Sequence, residues 1–577
     1  MKMKPIELKD AHKKYQHDQD KVTSPDTTVA RFKERLAETG LDILEDIVRT
    51  DNGRLDIPVY FSVCGTDARE AIGNYKQMGK GATPIQAQAS AVMELGERFS
   101  LFSFYRNGSN FIQAPRNAID EPTIGFDRIA QSVSDQSDDL PVARAIFNEL
   151  PLHWTWAYNL TREESVLVPF NWFWAINEFN GSSAGNCNEE AICQGICEVV
   201  ERHASALVSR NRIGVPRIIE SSVEDPVALE LMSKYKKAGI ELCLSDFTLD
   251  TGIPTIAALA WDPTTFPEKS EIVWTAGTTP GPAKALCRAL TEVAQLAGDF
   301  NSGGNYVASG LPKFRNLEQA DHILNPGCNI EMGNLPDLGD VNIKTEVSRL
   351  VETLARRDKE VFLIDIRHPR LDIPAFYTIV PGAHFRERAS QPSVGMICAK
   401  IIIENFPPET AKARLAKIEE MLPGKHYTYF YLAQLELNTG NYPAAISHLN
   451  RAAALKPDIE DLASIHTYLG VCHKEMENYL EALTALNSAD QLDSERTDTL
   501  NLMGVCHYKL SDFESAIACF RRVIALDPSS AIDYANLAVN YRAIDETAKA
   551  VEYFQLALAL DPGIDFAKAH LAEMGEI

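Results

Sequence analysis

From about residue 424 onward the sequence repeats itself at a fixed interval, and that interval constrains the fold more than any other feature of the chain. Gly470, Gly504 and Ala538 stand 34 residues apart, each preceded by an apolar residue. Twelve positions after each comes an alanine (Ala482, Ala516, Ala550), and four further on Leu486, Phe520 or Phe554. Pro528 and Pro562 close the last two units in the sequence Leu-Asp-Pro. An earlier unit runs through Ala433, Ala445, Leu449, Ala452 and Pro457, offset by three residues. Small residues let paired helices approach, and the proline ends the second helix. A unit of this size cannot bury its apolar face alone, so its neighbours must stack on it. The expectation is an all-α solenoid of four helical pairs, capped by a helix near 566–574.

Residues 1–404 show no such period. Strand-like segments at 166–170, 255–261 and 361–365 alternate irregularly with helical ones, which favours an α+β domain. An acidic, proline-containing stretch at 404–409 and a helix over 410–421 separate the two textures. The expected division is therefore 1–404, a connection at 405–424, and repeats over 425–577. With 577 residues, 45% hydrophobic and 24% charged, the chain has the composition of a globular protein of more than one domain. A net charge of −24 works against nonspecific binding to nucleic acid or an anionic membrane, and neither is expected as a partner. The opening MKMKPIELKDAHKK lacks the apolar core of a signal peptide, and no apolar run reaches membrane-spanning length. The eleven cysteines are scattered, without a C-x-x-C pair. Cys187, Cys193 and Cys197 match no standard zinc spacing, so reduced packing thiols in a cytoplasmic protein are expected.

Three helical stretches of the first domain carry charges that their apolar surroundings do not explain. Over 85–104, Glu94, Glu97 and Arg98 interrupt a run of alanines, leucines and phenylalanines. Over 189–210, Glu190, Gln194, Glu198, Glu201 and Arg202 fall on one stripe, because steps of three and four share a helix face. Over 282–297, Arg288 and Glu292 lie one turn apart, with Gln295 following. A solvated face with i,i+4 pairs is the plain alternative, worth about 0.2–0.5 kcal/mol per pair. Gathered carboxylates are costly unless cations sit among them, so three such helices together point to metal ions and a polyanion. The run 182–186 reads as a small turn feeding a helix N-terminus, with backbone N–H groups for an anion or an Asn186 or Asn188 cap. No GxxxxGK[ST] sequence is present, which excludes a P-loop.

The same residues carry a family resemblance. Gly79-Lys80-Gly81-Ala82-Thr83 followed by Glu94-Leu-Gly-Glu97-Arg98 resembles the first glutamate motif of YcaO-domain proteins. Ser183-Ala184-Gly185-Asn186, Glu190 and Gln194 through Arg202 resemble the second, and Arg288 to Glu292 with Gln295 the third. The resemblance spans roughly residues 1–400 and implies an α+β YcaO-type ATP-binding domain. It implies ATP and Mg²⁺ as cofactors and activation of a peptide or protein amide by phosphorylation. By resemblance, Glu94, Glu97, Glu198, Glu201 and Glu292 ligate Mg²⁺. Lys9, Thr28, Ser183, Asn186, Glu190, Arg202 and Arg288 contact ATP, and no catalytic residue is assigned. The family's tendency to dimerise implies a homodimer. The closing Ala572-Glu-Met-Gly-Glu-Ile577 lacks the proline-rich tail of azoline-forming members.

The periodic segment resembles a tetratricopeptide array, which implies a groove for a protein partner. Its groove residues are expected among Tyr427, Tyr431, His466, His473, Asn501, His507, Tyr508, Asn536 and Asn540. A YcaO domain followed by helical repeats is similar in plan to bacterial members linked to RimO-dependent β-methylthiolation of a small-subunit ribosomal protein. The alternatives are a thioamide-forming enzyme with a TfuA-like partner, or an ATP-sensing interaction protein built on the repeats.

Overall fold

The computed structural model describes the chain apart from residues 1–4, 18–19, 52, 268–269, 298–299, 301–313, 315, 384–391, 528–529, 562 and 576–577. Pro528 and Pro562, and parts of the opening and closing sequences discussed above, lie outside the described residues. The chain falls into two compact units. One comprises Met1–Ser134, Glu149–Ser302 and Ser309–Arg388; the other comprises Asp135–Asn148, Gly303–Ala308 and Ala389–Ile577.

The first unit is an α+β assembly of three sheets, and each charged helix packs on a different one. The Pro84–Arg106 helix covers the three-stranded antiparallel sheet Leu44–Arg49, Val59–Cys64 and Lys76–Lys80. Val92, Leu95 and Phe99 fill that interface together with Phe32. The packing is close enough that a Cβ on Gly79 would stand 2.1 Å from the Ala91 nitrogen, so only glycine fits there. The Asn188–Asn211 helix lies on a six-stranded sheet, against Ala375–Ile379 and Ser182–Ala184, and buries Ile192, Ile196, Val199 and Val200. The Pro282–Ala297 helix lies on a five-stranded sheet, against Val273–Thr278 and Thr255–Trp261, and buries Leu286, Leu290 and Val293. The segment 182–186 is not the open turn expected. Ser182–Ala184 is a strand paired to Ala375–Tyr377, and the Gly185 N–H donates to the Pro374 carbonyl at 3.1 Å. Sheet pairing takes the backbone groups that an anion would have used.

The second unit contains the expected helical pairs: His426–Asn438 with Tyr442–Ala454, Ile459–Glu475 with Tyr479–Leu492, Thr497–Lys509 with Phe513–Leu526, and Ala531–Ala543 with Thr547–Leu560. The Asp565–Glu573 helix follows them. The repeated glycines are explained by close approach, since a Cβ on Gly470 would meet Leu486 at 2.5 Å and one on Gly504 would meet Phe520 at 2.7 Å. Successive units are laced together by Thr467 to Thr499 at 2.8 Å, Arg496 to Ser464 at 2.7 Å, Arg522 to Asp490 at 2.7 Å, and an Asn501–Asp533 hydrogen bond.

Several expected groove residues are therefore structural. Tyr427, Tyr431 and Asn540 are buried because their side chains fill the space between helices, while Asn501 ties one repeat to the next. His466, His473, His507 and Asn536 are half-buried, and Tyr508 is exposed. A segment from early in the sequence also belongs to this unit. Asp135 Oδ2 accepts from the first N–H of the Val394–Asn405 helix at 2.8 Å, and Asp139 pairs with Lys425.

Candidate functional site

The three charged helices bring their polar side chains to one place in the first unit. On the Pro84–Arg106 helix, Arg98 Nη1 stands 3.6 Å from Glu97 Oε1, and its Nη2 stands 3.9 Å from Glu94 Oε1. Ser182 Oγ lies 2.6 Å from the same Glu97 oxygen, so the strand before the second helix meets the first. From the third helix, Arg288 reaches the second. Its Nη1 donates to Gln194 Oε1 at 2.7 Å, and its Nε lies 3.3 Å from Glu201 Oε2. Glu201 also accepts from the Thr278 N–H, at 3.0 Å. Arg202 stands 4.0 Å from Glu198, with its guanidinium half-exposed. Lys80, at the end of the Lys76–Lys80 strand, makes direct contact with Glu292 of the third helix.

Burial sets the electrostatics of this group. It pushes the Glu97 carboxyl up to about 8; Arg98 opposes the shift, while Glu198 and Glu94 add to it. Burial raises Glu198 as well, against the attraction of Arg202 and Arg98. It lowers the Lys80 ammonium to about 7, with Arg288 adding repulsion and Glu201 and Glu94 opposing. These charges are largely withdrawn from water and shifted by burial and by one another, a pattern that is enriched at functional sites.

A second group forms at the N-terminal end of the Asn188–Asn211 helix. Thr28 Oγ1 donates to Asn186 Oδ1 at 3.0 Å. The Asn186 N–H and Nδ2 donate to Glu190 Oε2 at 2.9 and 3.0 Å, and the Val22 N–H donates to Glu190 Oε1 at 2.7 Å. The Lys9 N–H donates to Glu189 Oε1 at 2.6 Å, and Lys9 itself is exposed. Here the carboxylates of Glu189 and Glu190 fasten Lys9 and Val22 to the helix. Ser183 is buried, with its hydroxyl donating to the Ala191 carbonyl at 2.7 Å. Asn186 and Asn188 do not cap the helix. The N-cap is Cys187, without a side-chain cap bond, and Asn188 Oδ1 instead accepts from Arg367 at 2.6 Å.

The structure thus joins Glu94, Glu97, Glu198, Glu201, Glu292, Arg202 and Arg288 in one group. It places Lys9, Thr28, Asn186 and Glu190 in another, two turns or more along the same helix, with Ser183 packed beneath. The donor set of the first group suits Mg²⁺ with a polyphosphate: carboxylate oxygens for the metal, guanidinium groups for phosphate oxygens. The Nε of Arg288 faces Glu201 Oε2 at 3.3 Å without making a well-aligned hydrogen bond to it. Among the described residues, no three acidic, cysteine or histidine side chains converge closely enough to hold a metal. Each carboxylate is instead turned towards a cation or N–H of the protein. Sequence reasoning placed Lys80 in a glycine-flanked motif but gave its side chain no role. It also missed Ser182 and Phe179; Arg98 lies over the Phe179 ring at 4.3 Å, and nothing in the residue pattern announces that contact.

Comparison with known proteins identifies the family and the fold. The family model described as YcaO cyclodehydratase, ATP- and Mg²⁺-binding, matches residues 78–384. Two tetratricopeptide-repeat models match residues 497–530 and 534–564. An uncharacterized protein of Methanothermobacter thermautotrophicus is 30% identical over 379 residues, which cover 62% of this chain and 93% of that one. A protein from the tfuA 3′ region of Rhizobium leguminosarum bv. trifolii is 24% identical, covering 63% of this chain and 88% of its own. The ribosomal protein S12 methylthiotransferase accessory factor YcaO of Escherichia coli is 24% identical; the match covers 62% of this chain and 64% of that protein. In structure, YcaO from Methanopyrus kandleri, bound with AMPPCP and Mg²⁺, matches 66% of this chain and 100% of its own at 22% identity and a TM-score of 0.50.

Proposed function

The chain belongs to the YcaO family, and from that premise we propose that it uses Mg²⁺-ATP to activate an amide of a peptide or protein by phosphorylating the carbonyl oxygen. The observation that carries this reading is the meeting of charged helices packed on three different sheets, with burial and the neighbouring Glu198 and Glu94 pushing Glu97 up to about 8. Bound ATP supplies the phosphoryl group, and Mg²⁺ supplies the charge that lets a polyanion enter a carboxylate-rich site. In this reading Glu94, Glu97, Glu198, Glu201 and Glu292 hold the metal, and Arg202 and Arg288 hold phosphate oxygens. Glu190, held by Asn186 and through it by Thr28, fastens Val22, while Glu189 fastens the backbone of Lys9, the residue assigned to the nucleotide, and Ser183 sets the seat of the second helix. Phosphoryl transfer asks for position and charge rather than a covalent protein group, so no catalytic nucleophile of the protein is required.

We assign the nucleotide chemistry to residues 1–404 and partner binding to the repeats over 425–577, with 405–424 as the connection. The E. coli relative, by its name, supports a role as an accessory factor in methylthiolation of a ribosomal protein, and to that role we add a RimO-like partner on the repeats. The place of the Rhizobium relative in the tfuA 3′ region supports a TfuA-like partner, and with it goes a second reading, thioamide formation. Free, mostly buried cysteines fit action in the cytoplasm, and a homodimer is the assembly we propose. Among the described residues no helix is long and apolar enough to cross a membrane. The test is calorimetry of Mg²⁺-ATP binding to the purified chain, followed by mass spectrometry of a candidate peptide incubated with it and ATP. Absence of saturable Mg²⁺-dependent ATP binding would remove this reading.

A further inference from the structure

The cations among the site's carboxylates are held in different ways. Arg288 is fixed by Gln194 at 2.7 Å and faces Glu201, and Arg98 is sandwiched between the Phe179 ring and its own helix's carboxylates. Both guanidinium groups are planar forks with a set direction. Lys80 is different. Its one ion pair among the described residues is with Glu292, and an ammonium on a flexible stem is free to swing to another acceptor. Its backbone has no such freedom. The Lys76–Lys80 strand is paired to Val59–Cys64, and Gly79 presses it onto the backbone of the Pro84–Arg106 helix. Any movement of the charge must therefore be a movement of the side chain.

Glu292 is one of the residues proposed above to hold Mg²⁺. A carboxylate oxygen in direct contact with an ammonium is not available to a divalent metal, and two cations so close repel one another. We propose that Lys80 is a resident counter-cation that competes with divalent metal for Glu292, so that metal entry releases its ammonium towards the phosphates of the nucleotide. The inference rests on the reading of this site as a Mg²⁺-ATP centre. It accounts for the spread of the carboxylates, each turned to a protein cation or N–H rather than to a common point. It also gives Lys80 two alternative partners of the same sign, a carboxylate and a phosphate.

The test measures binding and labelling rather than turnover. Mn²⁺ stands in for Mg²⁺ and is titrated by electron paramagnetic resonance into the full chain without nucleotide. Lys80→Met should bind Mn²⁺ about tenfold or more tighter than wild type, because a unit positive charge has left the metal's neighbourhood. Lys80→Arg, which keeps the charge, should stay close to wild type. With ATP present the Lys80→Met advantage should vanish, since the phosphates lose their lysine. Unchanged or weaker Mn²⁺ binding by Lys80→Met overturns the proposal. A measurement on the wild-type chain covers the case in which that variant does not fold. Amine-specific labelling of Lys80, read by mass spectrometry, should rise several-fold on adding Mn²⁺ alone and fall again with Mn²⁺ and ATP. Labelling that does not respond to Mn²⁺ also overturns it. If the wild-type chain binds neither Mn²⁺ nor Mg²⁺-ATP, the functional reading falls and this inference with it. If wild type binds both and only the Lys80 results fail, the inference alone is lost.

Discussion

Glu360 and Glu97 are both largely withdrawn from water, with side chains 8% and 14% exposed, yet their surroundings treat the charge oppositely. At Glu360 burial pushes the carboxyl up, but donors outweigh it. Asn159 Nδ2 at 2.8 Å, Arg162 Nε at 2.8 Å and Arg128 Nη2 at 2.8 Å together bring the group below the ordinary glutamate range. At Glu97 the same burial meets one arginine at 3.6 Å and two more carboxylates, and the group rises to about 8. The first cluster is closed: every charge has its partner inside the protein. The second has an excess of acid and calls for a cation from outside. Burying a charge is tolerable only when it is paired, and the two clusters show the finished and the unfinished form of that rule.

The sharpest way to break the comparison is to remove one carboxylate from each cluster. Glu201→Gln should weaken Mg²⁺-ATP binding on the order of a hundredfold by calorimetry, with little loss of stability. Glu360→Gln should leave that affinity unchanged and lower the unfolding free energy by about 1–2 kcal/mol in denaturant titrations, since Asn159 and Arg128 lose a charged acceptor while Arg128 keeps Asp358. Equal effects of both variants on nucleotide binding would dissolve the distinction.

Arg202→Ala should weaken ATP about tenfold and leave adenosine unaffected, because its guanidinium is assigned to phosphate. Parallel calorimetry with the two ligands decides it, and an equal loss for adenosine would move Arg202 to the base or sugar.

Titration separates the clusters further. The folded-state value of Glu97 lies above its unfolded one, so its contribution to stability is fully present below about pH 4.5 and is lost as pH rises towards about 8. Glu360 is lowered, so its contribution is present above the ordinary glutamate range and lost on acidification. Lys80, lowered to about 7, loses its contribution as pH falls from about 10.5 towards 7, which leaves the range below 7 to Glu97. In the presence of a chelator, urea midpoints from pH 5 to 7 should fall more for wild type than for Glu97→Gln. A parallel decline in the two proteins would mean that Glu97 titrates normally.

The smallest effect is expected in the repeats. Arg522 and Asp490 join adjacent units at 2.7 Å, but both side chains are partly exposed. Arg522→Ala should cost about 0.5–1 kcal/mol of stability and leave nucleotide affinity untouched. A shift in Mg²⁺-ATP affinity would contradict the assignment of nucleotide chemistry to residues 1–404.

Much of this architecture is legible in the sequence because it is local. The helices expected at 85–104, 189–210 and 282–297 are found as Pro84–Arg106, Asn188–Asn211 and Pro282–Ala297. Steps of three and four residues announce a helix face whatever the face meets. The repeats are legible for the same reason, each unit carrying its own small residues and its own apolar stripe, as at Gly504 and Phe520. Resemblance to a known family supplied the kind of cofactor, which periodicity alone does not.

What the helices meet was decided only by tertiary structure. Three separate sheets bring the charged faces together, one of them through the pairing of Ala375–Tyr377 with Ser182–Ala184, nearly 200 positions earlier. Those pairings decide that Glu190 fastens Val22 while Glu201, three turns along the same helix, faces Arg288. They set Lys80 against Glu292 and draw residues 135–148 into the helical unit. Packing among the helices of the second unit buries Tyr427 and Tyr431, which the local pattern had placed in a groove. The sequence by itself determined the elements and the chemical types of the charges. Which charges were paired and which left wanting depended on long-range packing, because burial and the distance between side chains fix the energy of a charge, and neither is a property of a local stretch of chain.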